Sequence, residues 1–164
     1  MVTPDFVLAL RSRIGHDLLW MPGVSAVVVR DNGELLLGRR ADNGMWAIVS
    51  GIPEPGEQPA LAAIREVTEE TGIHAVVDGL AEVSSGSTPV QYENGDRAQY
   101  LSLTFLCHSV GDGDPWVGDD ESTAVGWFGL DALPEPLMES SRRRIACALA
   151  FREQPQKETW FARP

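Results

Sequence analysis

Apolar residues recur along this chain in two rhythms, and each change of rhythm marks an element. The segment VSAVVVR (24–30) is dense in β-branched residues and predicts a strand. DNGE (31–34) turns the chain and ELLLGRR (34–40) returns as its partner, because Asn-Gly supplies the backbone that a tight hairpin needs. WAIVS (46–50) predicts a short buried strand entering the Gly/Pro-rich loop GIPEPGE (51–57). From Pro59 to Thr71 the period lengthens to that of a helix, with Gly72 at the C-cap position. HAVVDGLAEV (74–83), AQYLSLTFLCHSV (98–110) and TAVGWFGL (123–130) predict further strands. Between the first two lie an SSGSTP loop and a second Asn-Gly turn, in QYENGDRAQY (91–100), and DGDPWVGDDES (112–122) is an acidic loop. Near the N-terminus a helix is predicted over residues 4–14, with Thr3 as its cap and Pro4 in its first turn. A last amphipathic helix is predicted over 138–153, carrying the basic run Arg142–Arg144. With no repeat, linker or low-complexity tract, the pattern predicts one α/β domain over residues 1–164, built on a mixed sheet.

Charge narrows the partners. The 164 residues carry a formal net charge of −11, which disfavours nucleic acid and anionic membranes, since both attract basic surfaces. The longest N-terminal apolar run is Phe6–Leu10, and no stretch approaches the ~20 apolar residues of a membrane span. Cys107 and Cys147 are the only cysteines and show no ligand spacing, so they read as reduced, packed thiols. The expected location is the cytoplasm.

One stretch of that acidity is unfavourable where it stands. In AAIREVTEETG (62–72), a helical turn of about 100° per residue gathers Glu66, Glu69 and Glu70 into one arc of ~100°. Ala60, Ile64, Val67 and Thr71 gather on the opposite, core-facing side. Glu66 and Glu70 repel at i,i+4, at a cost of ~0.2–0.5 kcal/mol. Glu69 and Glu70 also stand in the last turn, where the helix dipole favours cations, at a further ~0.3–1 kcal/mol each. Arg65 is the nearby cation, spaced to pair with Glu69. A hard divalent cation such as Mg²⁺ offsets the crowding, because it takes oxygen ligands and reaches the rest of its shell through substrate phosphates.

The flanking residues sharpen the reading. Gly51, Glu57, Arg65, Glu66, Val67, Glu69, Glu70, Gly72 and Ile73 follow the order G-x5-E-x7-R-E-U-x-E-E-x-G-U, with U aliphatic. GIPEPGEQPALAAIREVTEETGI (51–73) therefore resembles a complete Nudix box, matched at every fixed position. Just before it the chain has Val49-Ser50, where members of that family often carry Pro-Gly. The resemblance implies an α/β/α sandwich with the box as loop-helix-loop, and hydrolysis of nucleoside diphosphates linked to another moiety. It implies Mg²⁺, with Mn²⁺ as an alternative, held by Glu57, Glu66, Glu69, Glu70 and the Gly51 carbonyl. Arg65 is implied to hold the carboxylates in place. For the base that activates water, two candidates stand: a box glutamate such as Glu66 or Glu69, or Glu121, six residues before Trp127 on a later loop. DGDPWVGDDE is not a calcium loop, since Trp116 stands at a ligand position and Val117 at the glycine position.

Substrate residues are less sharply marked. Arg39 and Arg40 close the second strand beside the box and suit phosphate oxygens. Arg97 and Tyr100 follow the second Asn-Gly turn, and Trp20, Tyr92 and Trp116 offer faces on which a base can stack. Pro89 lies sixteen residues beyond Ile73, close to where ADP-ribose pyrophosphatases of the family usually carry a proline. ADP-ribose or a nucleotide sugar is the first expectation, with a (d)NTP pyrophosphatase of the MutT type as alternative. A silent nucleotide sensor on the same fold usually loses box carboxylates, and none is lost here. A prenyl-diphosphate isomerase needs a paired Cys/Glu site and a differently built box, and Cys107 within a strand does not provide the first. A P-loop enzyme is excluded, because no GxxxxGK[ST] occurs. The expected partner is a small nucleotide, and a homodimer is a reasonable expectation from relatives.

Overall fold

The computed structural model describes residues 3–154 and 156–162. Eight strands form one mixed sheet: β1 (Leu18–Val29), β2 (Leu35–Arg40), β3 (Trp46–Ala47), β4 (Val49–Gly51), β5 (Ala75–Ser85), β6 (Val90–Gln91), β7 (Arg97–Ser109) and β8 (Ser122–Phe128). The main path runs β3-β2-β1-β7-β5, with β4 on β1, β6 on β7 and β8 on β2. Three helices flank it: α1 (Asp5–Ile14), α2 (Pro59–Thr71) and α3 (Glu139–Glu153).

The two-residue period of β1 sorts the helices to the two sheet faces. Val24, Ala26 and Val28 pack with Ala62, Ala63 and Val67 of α2. Val27 and Val29 pack with Ile145, Ala148 and Phe151 of α3. Met21, on that second face, packs with Val7 of α1, Ile52 and Ala98. The result is the predicted α/β/α sandwich, with α2 on one side and α1 and α3 on the other. Among the described residues no helix is long and apolar enough to cross a membrane.

Three expectations change. β1 begins at Leu18 rather than Val24 and runs parallel to β7 from Leu18↔Arg97 to Val29↔His108. Its first half was hidden because Leu18 and Trp20 face solvent and Pro22-Gly23 interrupt the apolar run. The N-terminal helix begins at Asp5 with Pro4 at its N-cap and no side-chain cap; the Pro4 carbonyl accepts from Val7 and Leu8 instead, at 2.9 and 3.1 Å. Thr3 therefore does not cap it. WAIVS divides at Ile48 into β3 and β4, because the Ile48 N–H leaves the ladder and donates to Ser141 Oγ of α3 (3.2 Å).

The Asn-Gly hairpin forms, yet β1 and β2 stay paired only at Val29↔Leu35. β2 then diverges and takes β8 on its edge over Leu35–Arg40. On the edge of β1 thus released, β4 pairs through Val24↔Gly51, Ser25↔Ser50 and Ala26↔Val49. This split in the sheet opens beside the C-terminal half of α2.

Candidate functional site

Gly51 ends β4 directly beneath α2. The carboxyl of Glu66 lies so close to the Gly51 Cα that any Cβ there would overlap Glu66 Cδ and Oε1. Glycine is needed here for close approach rather than for an unusual φ. Gly51→Ala is expected to expel the Glu66 carboxylate and, on the metal-binding role that the box resemblance implies for Glu66, to reduce turnover by at least ~10-fold, the scale lost with an indirect support of a metal ligand. Circular dichroism with steady-state kinetics checks it: a folded, fully active Gly51→Ala protein contradicts the contact.

The acidic arc of α2 is not a solvated face. Only Glu69 is well exposed (side chain 56%), whereas the Glu66 side chain is 14% exposed. Glu70 is buried at 8%. Arg65 grips this group from outside: its Nε and Nη2 donate to the two oxygens of Glu57, at 2.9 and 3.0 Å. Its Nη1 donates to Glu66 Oε1 and Glu69 Oε2, both at 3.0 Å. The Arg65 hydrogen bond holds the Glu57 carboxyl below its usual pKa. Burial raises Glu66 above the usual glutamate value, against the lowering influence of Arg65. At Glu70 burial first, then the charges of Glu121, Glu66 and Asp119, push the carboxyl up to about 8.

Glu121 comes to this place on the loop before β8, and the backbone explains how. Helix α2 ends at Gly72 in the left-handed conformation, leaving its last carbonyls without helical partners. The loop supplies them: Trp116 N–H donates to Thr71 O and Gly118 N–H to Glu70 O, both at 3.0 Å. A Cβ on Gly118 would run into the Glu69 carbonyl, so the loop lies flat on the helix end. Beyond this staple the Glu121 N–H donates to Asp119 Oδ1 (2.9 Å), and its carbonyl accepts from Ala41 N–H (2.8 Å).

Where the sheet splits, a cleft of about 330 Å³ is lined by Gly38, Arg40, Asp42, Ser50, Glu70 and Glu121, among others. Of the seven predicted substrate residues, only Arg40 lines it, and Arg40 is ion-paired with Asp42. Arg39 instead donates through Nε to the Gly44 carbonyl (3.0 Å). Tyr100 is half-buried against the α1 cluster, with its hydroxyl 2.6 Å from that of Tyr92. Trp20 and Arg97 lie toward the outer ends of β1 and β7, and Trp20 is 59% exposed. Trp116 lies against Gly72. The sequence reading missed Gly38, Asp42 and Ser122 of the lining. Gly38 carried a usable signal, a glycine inside the apolar run LLLGRR: a Cβ there would stand 2.9 Å from Ser122 Oγ across the β2–β8 pair.

Among the described residues, no three His, Cys, Asp or Glu side chains close on one point at metal-binding distance. The donor set nonetheless fits a hard divalent cation. It consists of carboxylates alone, and at its buried end the charge of Glu121 raises the proton affinity of both Glu66 and Glu70, which one positive charge would relieve.

Residues 19–149 match the model of the NUDIX domain, and the chain belongs to that family of hydrolases acting on pyrophosphate bonds, whose members generally need a divalent metal such as Mg²⁺. It is 40% identical over 126 residues to a MutT-like protein of Streptomyces ambofaciens, covering 77% of this chain and 75% of that protein. It is 32% identical over 114 residues to an ADP-ribose pyrophosphatase of Methanocaldococcus jannaschii, covering 68% of this chain and 63% of that protein. Among solved structures it is similar to a MutT NUDIX hydrolase from Burkholderia pseudomallei, with a TM-score of 0.63 and 31% identity over 78% of this chain and 97% of that one.

Proposed function

We propose that this protein is a Mg²⁺-dependent pyrophosphohydrolase of nucleoside diphosphates linked to another moiety, with ADP-ribose or a nucleotide sugar as the first substrate class. The observation that carries the reading is the placing of Glu70 and Glu121 together in the cleft wall, within electrostatic reach of Glu66, with Arg65 tying Glu57, Glu66 and Glu69 together. Glu66, Glu69 and Glu70 would hold the ion, with Glu57 and the Gly51 carbonyl in support. The bound ion supplies Lewis acidity and positive charge against the pyrophosphate. Arg65 fixes the rotamers of three glutamates at once, so these carboxylates are ordered before substrate arrives.

Hydrolysis adds water to one phosphorus and breaks its bond to the bridging oxygen, giving two phosphate monoesters and a proton. Glu121 takes that proton from the attacking water, as the carboxylate that approaches from outside the helix. Arg40, anchored by Asp42 at the cleft wall, meets the phosphate oxygens.

The ADP-ribose class is supported by Pro89 and by the likeness to the Methanocaldococcus ADP-ribose pyrophosphatase. A (d)NTP substrate is the second reading, supported by 24% identity over 127 residues to a putative 8-oxo-dGTP diphosphatase of Bacillus subtilis. A panel of ADP-ribose, nucleotide sugars, dinucleoside polyphosphates and (d)NTPs, read by phosphate release with coupled phosphatase, decides between them. The highest kcat/KM is expected for ADP-ribose or a nucleotide sugar. ADP-ribose binding without hydrolysis of any compound overturns the enzymatic reading in favour of a sensor.

A further inference from the structure

The sheet face beneath α1 and α3 is apolar at both ends, but a row of polar side chains crosses its middle. Register sets Ser25 of β1 between Ser50 of β4 and Thr104 of β7, and sets Gly23 beside Ser102. Ser25 and Ser50 share a hydrogen bond of 2.9 Å, and Ser25, Ser102 and Thr104 are buried. Helix α3 brings Arg143 and Arg144 to this row, and the two are treated differently. Arg143 is ion-paired with Glu82, a fully buried carboxylate whose other oxygen accepts from Thr104 Oγ1 (3.4 Å). Arg144 Nη2 donates to the Ser102 hydroxyl at 3.1 Å. Its Nε is, among the described residues, the one buried side-chain nitrogen or oxygen without a hydrogen-bond partner. No ion pair joins Arg144 to a described carboxylate, and burial together with Arg143 lowers its pKa from the usual arginine value.

A half-buried guanidinium whose Nε is shut off from water without a partner or a counter-charge is costly, and an apolar residue of similar volume would serve packing better. Such a group is suited to an anion that arrives from outside. Nε and Nη2 form one edge of the guanidinium fork, the edge that takes two oxygens of a phosphate side by side. The row also leads to the cleft. Ser141, three residues before Arg144 on the same helix, accepts the Ile48 N–H, and both Ile48 and Ser50 line the cleft. The row therefore runs from the cleft lining at Ser50 towards Arg144.

We propose that Arg144, with Ser102, forms an oxyanion subsite of the substrate cleft, binding a phosphate of the nucleotide from the α3 side of the sheet, across from the glutamates of α2. The proposal rests on the reading of the substrate as a nucleoside diphosphate derivative. It makes Arg144 a substrate-binding residue whose charge is present for the ligand and unfavourable to the empty fold.

Calorimetric titration of the full chain with ADP and with adenosine, in EDTA, tests it. Arg144→Gln is expected to weaken ADP binding at least ~10-fold, towards the affinity of adenosine, as loss of a charged hydrogen-bonded contact does. The melting temperature of Arg144→Gln is expected to stay level or rise, and in turnover KM rises while kcat is largely kept. Arg144→Lys, which keeps the charge but loses the fork, restores part of the ADP affinity. It carries the test if Arg144→Gln does not fold. Unchanged ADP affinity and KM in folded Arg144→Gln, or in Arg144→Lys where the glutamine variant fails to fold, overturn the proposal. Because the titration needs neither metal nor turnover, its failure is distinct from that of the hydrolase reading, which shows as wild-type protein inert across the substrate panel.

Discussion

Glu70→Gln abolishes Mg²⁺-dependent turnover, by more than the ~10–100-fold lost when an outer support of a metal ligand is removed. In the same protein the metal-free fold becomes more stable at neutral and alkaline pH. Both effects follow from the position of Glu70, buried and facing Glu121, Glu66 and Asp119, with its pKa raised from 4.5 to about 8. Below about pH 4.5 the side chain is protonated in folded and unfolded chains alike, and its shift does not tilt the pH dependence. Between 4.5 and about 8 the unfolded chain releases this proton while the folded one retains it, so the metal-free fold loses stability as pH rises. The loss is complete above about 8. Glutamine removes the dependence, and a divalent ion removes it differently, by displacing the proton, so Mg²⁺ binding tightens with pH up to about 8. Melting temperatures from pH 5 to 9, with and without Mg²⁺, measure all three effects. A wild-type curve parallel to that of Glu70→Gln, or full activity in the variant, rules out the assignment.

Glu121→Gln lowers kcat by ~10²–10⁴-fold, the usual contribution of a positioned general base, with little change in KM. The fold is expected to survive, because the loop is held by its backbone: Trp116 and Gly118 on the end of α2, and the Glu121 carbonyl on Ala41 N–H. An unchanged kcat across pH removes Glu121 from the mechanism and returns the role to a glutamate of α2.

Local patterns were legible in the sequence, and long-range partnerships were not. The box residues announced the helix, its Gly72 cap and the Arg65–Glu69 pair, all of which depend on neighbours within a few positions. Glu70 shows where such reading ends. A helical projection gives its phase beside Glu66 but carries no information about the loop that covers it. The split of β2 from β1 was similarly out of reach: DNG predicts the turn correctly, while β8, a partner from some ninety residues downstream, decides where β2 goes. Arg142–Arg144 read as a basic patch on an amphipathic helix. In the fold these arginines divide, Arg142 to Glu135 at the surface, Arg143 to Glu82 and Arg144 to Ser102. No local pattern separates three adjacent arginines.

The staple between the acidic loop and the end of α2 places a constraint on evolution of this chain. Its two hydrogen bonds are made by main-chain N–H groups of Trp116 and Gly118, so most side chains between Asp112 and Asp120 are free to change without loosening it. The number of residues from Gly118 to Glu121 is not free, because one more or one fewer would carry that carboxylate past the glutamates it faces. Here spacing is the inherited quantity, together with the glycine at 118 and the aspartate at 119, and the rest of the loop's composition is incidental.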